Sequence, residues 1–582
     1  MSLVNIDSCC LSARQRALRP RCSFVMVAVV LLTSVGPGAV LAAPPQASEI
    51  HRGNPFALLA GYGVGIFGPS EAVPGVRVSL MFSSEVFAEH SEHIVDAIST
   101  LREPFSVDLF SLDCVDDEMC GRLASIVNLV GLRLPKDGIS PKGFTVLAGS
   151  PVVRGLSLEE RDMTTFNIET LRSLSSLNRL ELNGASLSDA NWVQLKKAES
   201  LESLSCDGVR LTPDSWSAIR SLPRLKSIVV GGRWLTGKDI EELSTIPGLE
   251  KVSILNARLS AEDLRPLARL PRCTELDLSG CSAQRYSLDA VADIKGLRKL
   301  HWRDVADLRS DMSLIQGREL TALGRMVHLT EVDFSDTRLD DEGIRVISSL
   351  TALRTLKIER CNSISDAGLS ELAALRQLDE LRVSGDQVTS RGVAAVAQLP
   401  SLRVLIAYGA DVTPEVLATL GELGHLEDLR LSYPKQSQTV QASGRLMAAI
   451  GKIASLRRLT VRGLELNAET LTPLLNLPVL EELDVDGPKL DENGVKVLGR
   501  LRSLRILSFC CAPEGNDHSV AMLRQLPQLQ FVGGGWGGIS GSHLAQLSDQ
   551  VVIRQFPEGT IKLRTPLISY EVEDGKAVRV LP

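Results

Sequence analysis

Aromatic residues make up only 4% of this 582-residue chain, with five tryptophans and five tyrosines. That fits a core built from leucine, isoleucine and valine. Neither sign of charge dominates: 63 Lys and Arg against 70 Asp and Glu leave a net charge of −7. No basic stripe is present, so nucleic acid is not an expected partner. The usual catalytic signatures are also missing. There is no G-x-S-x-G elbow, no Walker loop, no CxxC pair and no H-E-x-x-H. One G-x-G-x-x-G spacing occurs, from Gly63 to Gly68, but Pro69 follows at once and no strand–turn–helix unit surrounds it. A dinucleotide needs that unit, with a helix N-terminus facing the pyrophosphate, so a plain glycine loop is the reading. Glu89, His90, Glu92 and His93 cluster in AEHSEH, where a solvated polar helix face is the plain reading and a metal the alternative. The expectation is no cofactor, no bound metal and no catalytic activity.

Long apolar runs are absent except at the start. Arg14, Arg16, Arg19 and Arg21 precede an apolar stretch from Phe24 to about Val35, and Val40-Leu41-Ala42 fits a cleavage site. This order is that of a secretory signal peptide. The stretch is short for a membrane span, with Gly36, Pro37 and Gly38 directly behind it. Residues 1–42 are therefore read as a cleaved leader, with an uncleaved anchor as the alternative. The mature chain is expected to be secreted, periplasmic or at the cell surface, with no membrane span.

Eight of the eleven cysteines lie beyond this leader. Cys114 and Cys120 bracket VDDEM and are spaced to close a small disulfide, although Cys120 also falls in a helix-core register. The others in the middle of the chain follow a period described next, which marks them as packing groups.

What the chain has in abundance is repetition. LRTLKI places Leu353, Leu356 and Ile358 at positions 1, 4 and 6 of a unit, and the trio recurs from Leu129 to Leu529. Every step from 129 to 297 is 24 residues. A fixed period of this size is the signature of a solenoid. The first half of each unit alternates apolar and polar, as a strand with one buried face does. The second half spaces apolar residues by three or four, as in Ile344, Ile347 and Leu350, which share one helix face. Position 12 holds N-cap types: Thr212, Thr236, Ser260, Asp340, Thr389, Thr413, Asn467 and Asp491. One unit cannot bury both faces alone, whereas stacked units share a continuous core. Parallel strands about 4.8 Å apart, seventeen of them, give an inner surface roughly 80 Å long.

The pattern L-x-x-L-x-L, a small residue at position 9, then I/L-[ST]-D-x-G-L resembles the leucine-rich repeat family. Cys281 and Cys361 at position 9 are similar to its cysteine-containing branch, which includes F-box proteins and bacterial secreted proteins. An asparagine ladder at position 9 is absent. The resemblance implies an α/β leucine-rich-repeat solenoid, a right-handed horseshoe with parallel strands on the concave side and helices on the convex side. The expected organisation is a leader at 1–42, an N-terminal cap at 43–104, a solenoid of 17–18 units at 105–550 and a C-terminal β cap at 551–582. In the last, LISYEVEDGKAVRV reads as a hairpin turning at Asp574-Gly575.

The resemblance also implies a scaffold that binds a protein or other macromolecule. Two alternatives stand beside it. A ubiquitin-ligase adaptor or translocated effector needs a three-helix segment before the repeats, which 44–104 does not show. An enzyme needs a site in the N-terminal region, where only the His/Glu cluster argues for one. Positions 3, 5 and 7 should form the inner face, with acidic and basic rows alternating: Glu275/Asp277, Lys299/His301, Glu331/Asp333, Thr355/Lys357, Glu380/Arg382. Lateral pairing within that ladder is the plain reading, and a metal or cation at Asp277, His301 and Asp333 the alternative. One place differs. Val404, Ile406 and Tyr408 offer an apolar strip, with Asp428, Arg430 and Tyr433 on one side and Arg382 on the other. Aromatic residues beside arginine have the composition of an interface hot spot. These seven residues are the expected binding site, Tyr408 and Tyr433 forming one exposed platform. Enlarged loops at 303–316 and 432–444 frame it, and Phe531 and Trp536 form a lesser aromatic site.

Overall fold

A computed structural model describes residues 59, 64–67, 78–82, 84–102, 104–110, 112, 115–135, 137–160, 163, 177–281, 287–303, 317–433, 443–511, 522–534, 552–555, 569–573 and 576–580. The expected leader, Cys114, Trp536 and most of both enlarged loops fall outside these residues, as do Gly63 and Gly68.

The repeat unit is visible in Thr355–Ile358 and its neighbours. Leu353, Leu356 and Ile358 are fully buried, while Thr355 and Lys357 between them are not. The strand's polar face is thus turned away from the core. A turn leads to the cap residue Ser365, whose hydroxyl accepts from the Ala367 N–H, and the helix Asp366–Glu371 returns. The expected caps at Thr212, Ser260, Asp340, Thr389, Asn467 and Asp491 all accept from first-turn N–H groups. Thr236 sits in a capping box with Asp239, whose carboxylate accepts from the Thr236 N–H, and Thr413 holds the cap position without a side-chain bond. Where proline falls inside the return segment rather than at its first position, the α-helix gives way to a 3-10 turn. Ala261–Leu264 continues as Arg265–Arg269 over Pro266, and Ala468–Leu471 as Thr472–Asn476 over Pro473. Proline has no N–H to extend the α ladder, so the turn tightens.

The units stack in chain order. Val78–Met81 pairs in parallel with Phe105–Asp108, and parallel pairing then runs from each strand to the next as far as Val552–Gln555. Gly65–Phe67 joins antiparallel to Val78–Met81, completing a 21-stranded sheet. The ladder therefore starts ahead of residue 105. Three residues of the G-x-G-x-x-G stretch are part of this strand rather than a phosphate loop. The sheet is not closed: no hydrogen-bonded ladder joins Gly65–Phe67 to Val552–Gln555 among the described residues. The two end strands nevertheless come within 8 Å, Cα to Cα. Ser569–Glu573 and Lys576–Val580 form a separate antiparallel pair around residues 574–575.

Two lateral devices lock neighbouring units. The first is the Asp of the D-x-G-L motif. Asp341 accepts from the N–H and hydroxyl of Ser365, the next unit's cap. Asp366 accepts from the N–H and hydroxyl of Thr389 and from the Gly392 N–H. The motif glycine makes room for it, since a Cβ at Gly368 would sit 2.2 Å from Asp341 Oδ1. The second is the thiol at position 9. Cys281 donates to the Ile254 carbonyl at 3.0 Å and Cys361 to the Phe334 carbonyl at 3.2 Å, each across one repeat. Burial pushes both thiols up to about 12, which keeps them protonated donors. Cys206 and Cys273 are buried in the core as their register predicts.

The concave face as candidate functional site

Strand alternation turns positions 3, 5 and 7 away from the core, and the parallel register sets them in rows. One row runs Glu275, Lys299, Glu331, Thr355, Glu380, Val404, Asp428, Arg458, Glu482. The row beside it runs Asp277, His301, Asp333, Lys357, Arg382, Ile406, Arg430, Thr460, Asp484.

In the first half of these rows the charges neutralise each other. Lys251 pairs with Glu275 at 3.1 Å. Glu331 receives Lys299 at 3.1 Å, Lys357 at 2.9 Å and His301 Nε2 at 3.2 Å. Burial opposes the ionised Glu331, but the His301 and Lys357 contacts hold its carboxyl well below the usual range. Burial would likewise depress the His301 imidazolium, yet the Glu331 hydrogen bond and the charges of Glu331, Asp333 and Asp277 raise it. Asp277 and Asp333 are turned to their own strand ends, accepting from the N–H of Ser279 and of Ser335. Among the described residues no group of three or more His, Cys, Asp or Glu is arranged to hold a metal ion.

The expected binding site is arranged differently from its sequence reading. Tyr408 faces the concave side and is half-buried beside Arg430, burial pushing its phenol up to about 12. Its partner in register is Ser432, so Tyr433 lies one residue further and points to the other face. Tyr433 is 3% exposed, belongs to the core and donates its hydroxyl to the Val412 carbonyl at 3.1 Å. The two rings therefore form no platform. Ile406 is 1% exposed, seated in register between Arg382 and Arg430, which are themselves buried. Of the apolar strip, only Val404 and Tyr408 retain partial exposure.

The arginines are committed as well. Arg382 Nε donates to Glu380 at 2.5 Å. Arg430 grips Asp428 with Nε at 2.9 Å and Nη2 at 2.7 Å, and Arg458 adds a third donor to the same carboxylate at 2.9 Å. Asp428 is 1% exposed and Arg430 5%. Burial disfavours the ionised Asp428, but the two guanidinium groups hold it below the usual carboxylate range. Arg462 pairs with Asp484 at 2.6 Å. The concave surface from 380 to 484 is a tightly held charge lattice around a small apolar centre. Arg458, Thr460, Glu482 and Asp484 belong to it and were not among the expected residues. Their signal was present, since they occupy positions 3 and 5 of the two repeats after Asp428 and Arg430.

Residues 253–532 match the family model "leucine-rich repeat region". No curated protein matches the chain. Among solved structures, an internalin of Listeria monocytogenes is similar at 16% identity, covering 62% of this chain and 82% of its own, with a TM-score of 0.30. The structure titled TLR13–ssRNA13 complex is also 16% identical, with 78% and 74% covered and a TM-score of 0.42. Repeat period and parallel ladder coincide with the family match over residues 253–532, and the chain folds as a leucine-rich repeat solenoid.

Proposed function

We propose that this protein is an exported, non-enzymatic recognition scaffold that binds a protein partner through the concave face between residues 380 and 484. The observation that carries the reading is the charge lattice there. Glu380–Arg382, Asp428–Arg430–Arg458 and Arg462–Asp484 hold polar groups in fixed positions before any partner arrives. Groups ordered in advance cost a partner little conformational entropy. Half-buried Val404 and Tyr408 beside them supply the apolar contact that recognition surfaces combine with fixed charge. Export is supported by the arginine-rich start, apolar run and Val-x-Ala site of residues 1–42.

A photo-crosslinking amino acid at Tyr408 tests the face directly, with one at exposed Arg391 on the helix Ser390–Val396 as control. A discrete protein adduct from position 408, and none from 391, supports the reading. Adducts from 391 alone place recognition on the convex side and refute it.

A further inference from the structure

Within the charge lattice one carboxylate is left out. Asp428, Arg458 and Glu482 are consecutive in one row, yet both neighbouring guanidinium groups turn to Asp428. Glu482 is 7% exposed, and its Oε2 is buried without a hydrogen-bond partner among the described residues. Asp484, two residues on, is already paired with Arg462. The strand on the other side brings Ile506 and Ser508 opposite Glu482 and Asp484, and neither carries charge. A buried carboxylate without a partner is costly, so its presence in a folded chain calls for a reason, and a group that binds there is one.

We propose that Glu482 is the receptor carboxylate for a lysine or arginine side chain of the protein partner. The inference rests on the concave-face reading above and adds the chemistry of the contact. Two features favour a cation over a neutral donor. A carboxylate offers two oxygens in the geometry that a guanidinium fork matches. The free site is also prone to take up a proton. Burial pushes the Glu482 carboxyl up to about 7; Arg430 and Arg458 oppose the rise, while Asp428 and Asp484 reinforce it. A bound cation replaces that proton and leaves the local charge as it is in the protonated free form.

The sign of the pH dependence follows. Binding of the cation requires ionised Glu482, so affinity rises as pH increases through about 7. From pH 6 to pH 8 the ionised fraction grows about tenfold, and the affinity with it.

The test uses the full chain and a random twelve-residue peptide library lacking histidine, panned at pH 8. Enriched peptides are then titrated against wild type and Glu482→Gln, each also remade with Lys as norleucine and Arg as citrulline. The expected result is peptides that contain a basic residue, lose about tenfold or more in affinity on its neutralisation, and lose the same on Glu482→Gln. Their wild-type affinity rises about tenfold from pH 6 to 8, and the variant's does not. Peptides that crosslink to position 408 yet bind Glu482→Gln equally well overturn the cation site and leave the concave-face reading intact. Peptides that crosslink only at position 391, or no enriched peptide at all, overturn both. Circular dichroism and a thermal melt confirm that Glu482→Gln is folded.

Discussion

Replacing Asp428 by alanine probes the concave lattice at its centre. The substitution removes the acceptor of three charge-assisted hydrogen bonds, two from Arg430 and one from Arg458. Arg458 is half-buried and can turn toward Glu482 or water. Arg430 is 5% exposed and loses the carboxylate to which both its Nε and its Nη2 donate. Breaking a buried pair in this way costs about 3–5 kcal/mol. The partner change Arg430→Met leaves Asp428 with Arg458 and fills most of the same volume, so its cost should be smaller. The double variant should be less unstable than the two single costs added, because the guanidinium that lost this acceptor is gone. The assay is urea unfolding at pH 7.5, followed by circular dichroism, with a double-mutant cycle across the four proteins. Units of a solenoid contact only their neighbours, so the lost stability should appear first as early melting of the region around 380–484. A cost below about 1 kcal/mol for Asp428→Ala would refute the claim that this pair is buried and structural.

Further outcomes follow from the same structure. Leu356→Ala empties a fully buried position and should cost about 2–5 kcal/mol in denaturant melts, whereas a change below about 0.5 kcal/mol would show that Leu356 is not core. Gly368→Ala forces a methyl group against Asp341 Oδ1 and should destabilise by about 1–3 kcal/mol; in an Asp341→Ala background most of that cost should vanish. Glu482 has a folded-state pKa above the ordinary carboxylate value, so the folded chain holds its proton more tightly than the unfolded chain, and stability falls as pH rises from about 4.5 to about 7. Glu482→Gln should therefore stabilise the protein at pH 8 more than at pH 5, read from melts at both. N-terminal sequencing of the mature protein should begin near Ala43, and an intact Met1 on a cytosolic protein would contradict export.

The architecture was legible because its signal repeats. A single Leu-x-x-Leu-x-Leu means little, but a 24-residue step held from 129 to 297 sets strand, cap and helix for those units at once and marks the longer steps beyond them as insertions. The candidate site was legible only to the level of rows. Position in the repeat told which residues share the concave side, and it told that Glu275 and Glu331 pair laterally, as they do with Lys251 and Lys299. It could not tell how long side chains share partners. Asp428 attracts both guanidinium groups and Glu482 none, a choice made by rotamers within one row. Tyr433 was misplaced by one residue of register. Position 8 sits where the strand ends, and only the Tyr433 N–H bond to the Arg462 carbonyl shows that extended pairing continues there. That single extra step sends the ring into the core. The role of the motif glycine was also hidden, because its reason is the neighbouring unit's aspartate rather than its own turn.

The most direct test of the central claim is a titration of the captured protein partner against folded variants of the two faces. Tyr408→Ala trims a half-buried side chain on the concave face, while Arg391→Ala trims an exposed one on the convex helix row. Binding through the concave face predicts a loss above about 1 kcal/mol, or more than fivefold in Kd, for Tyr408→Ala and no change for Arg391→Ala. The opposite pattern, with Tyr408→Ala binding as wild type and Arg391→Ala weakened, contradicts the account.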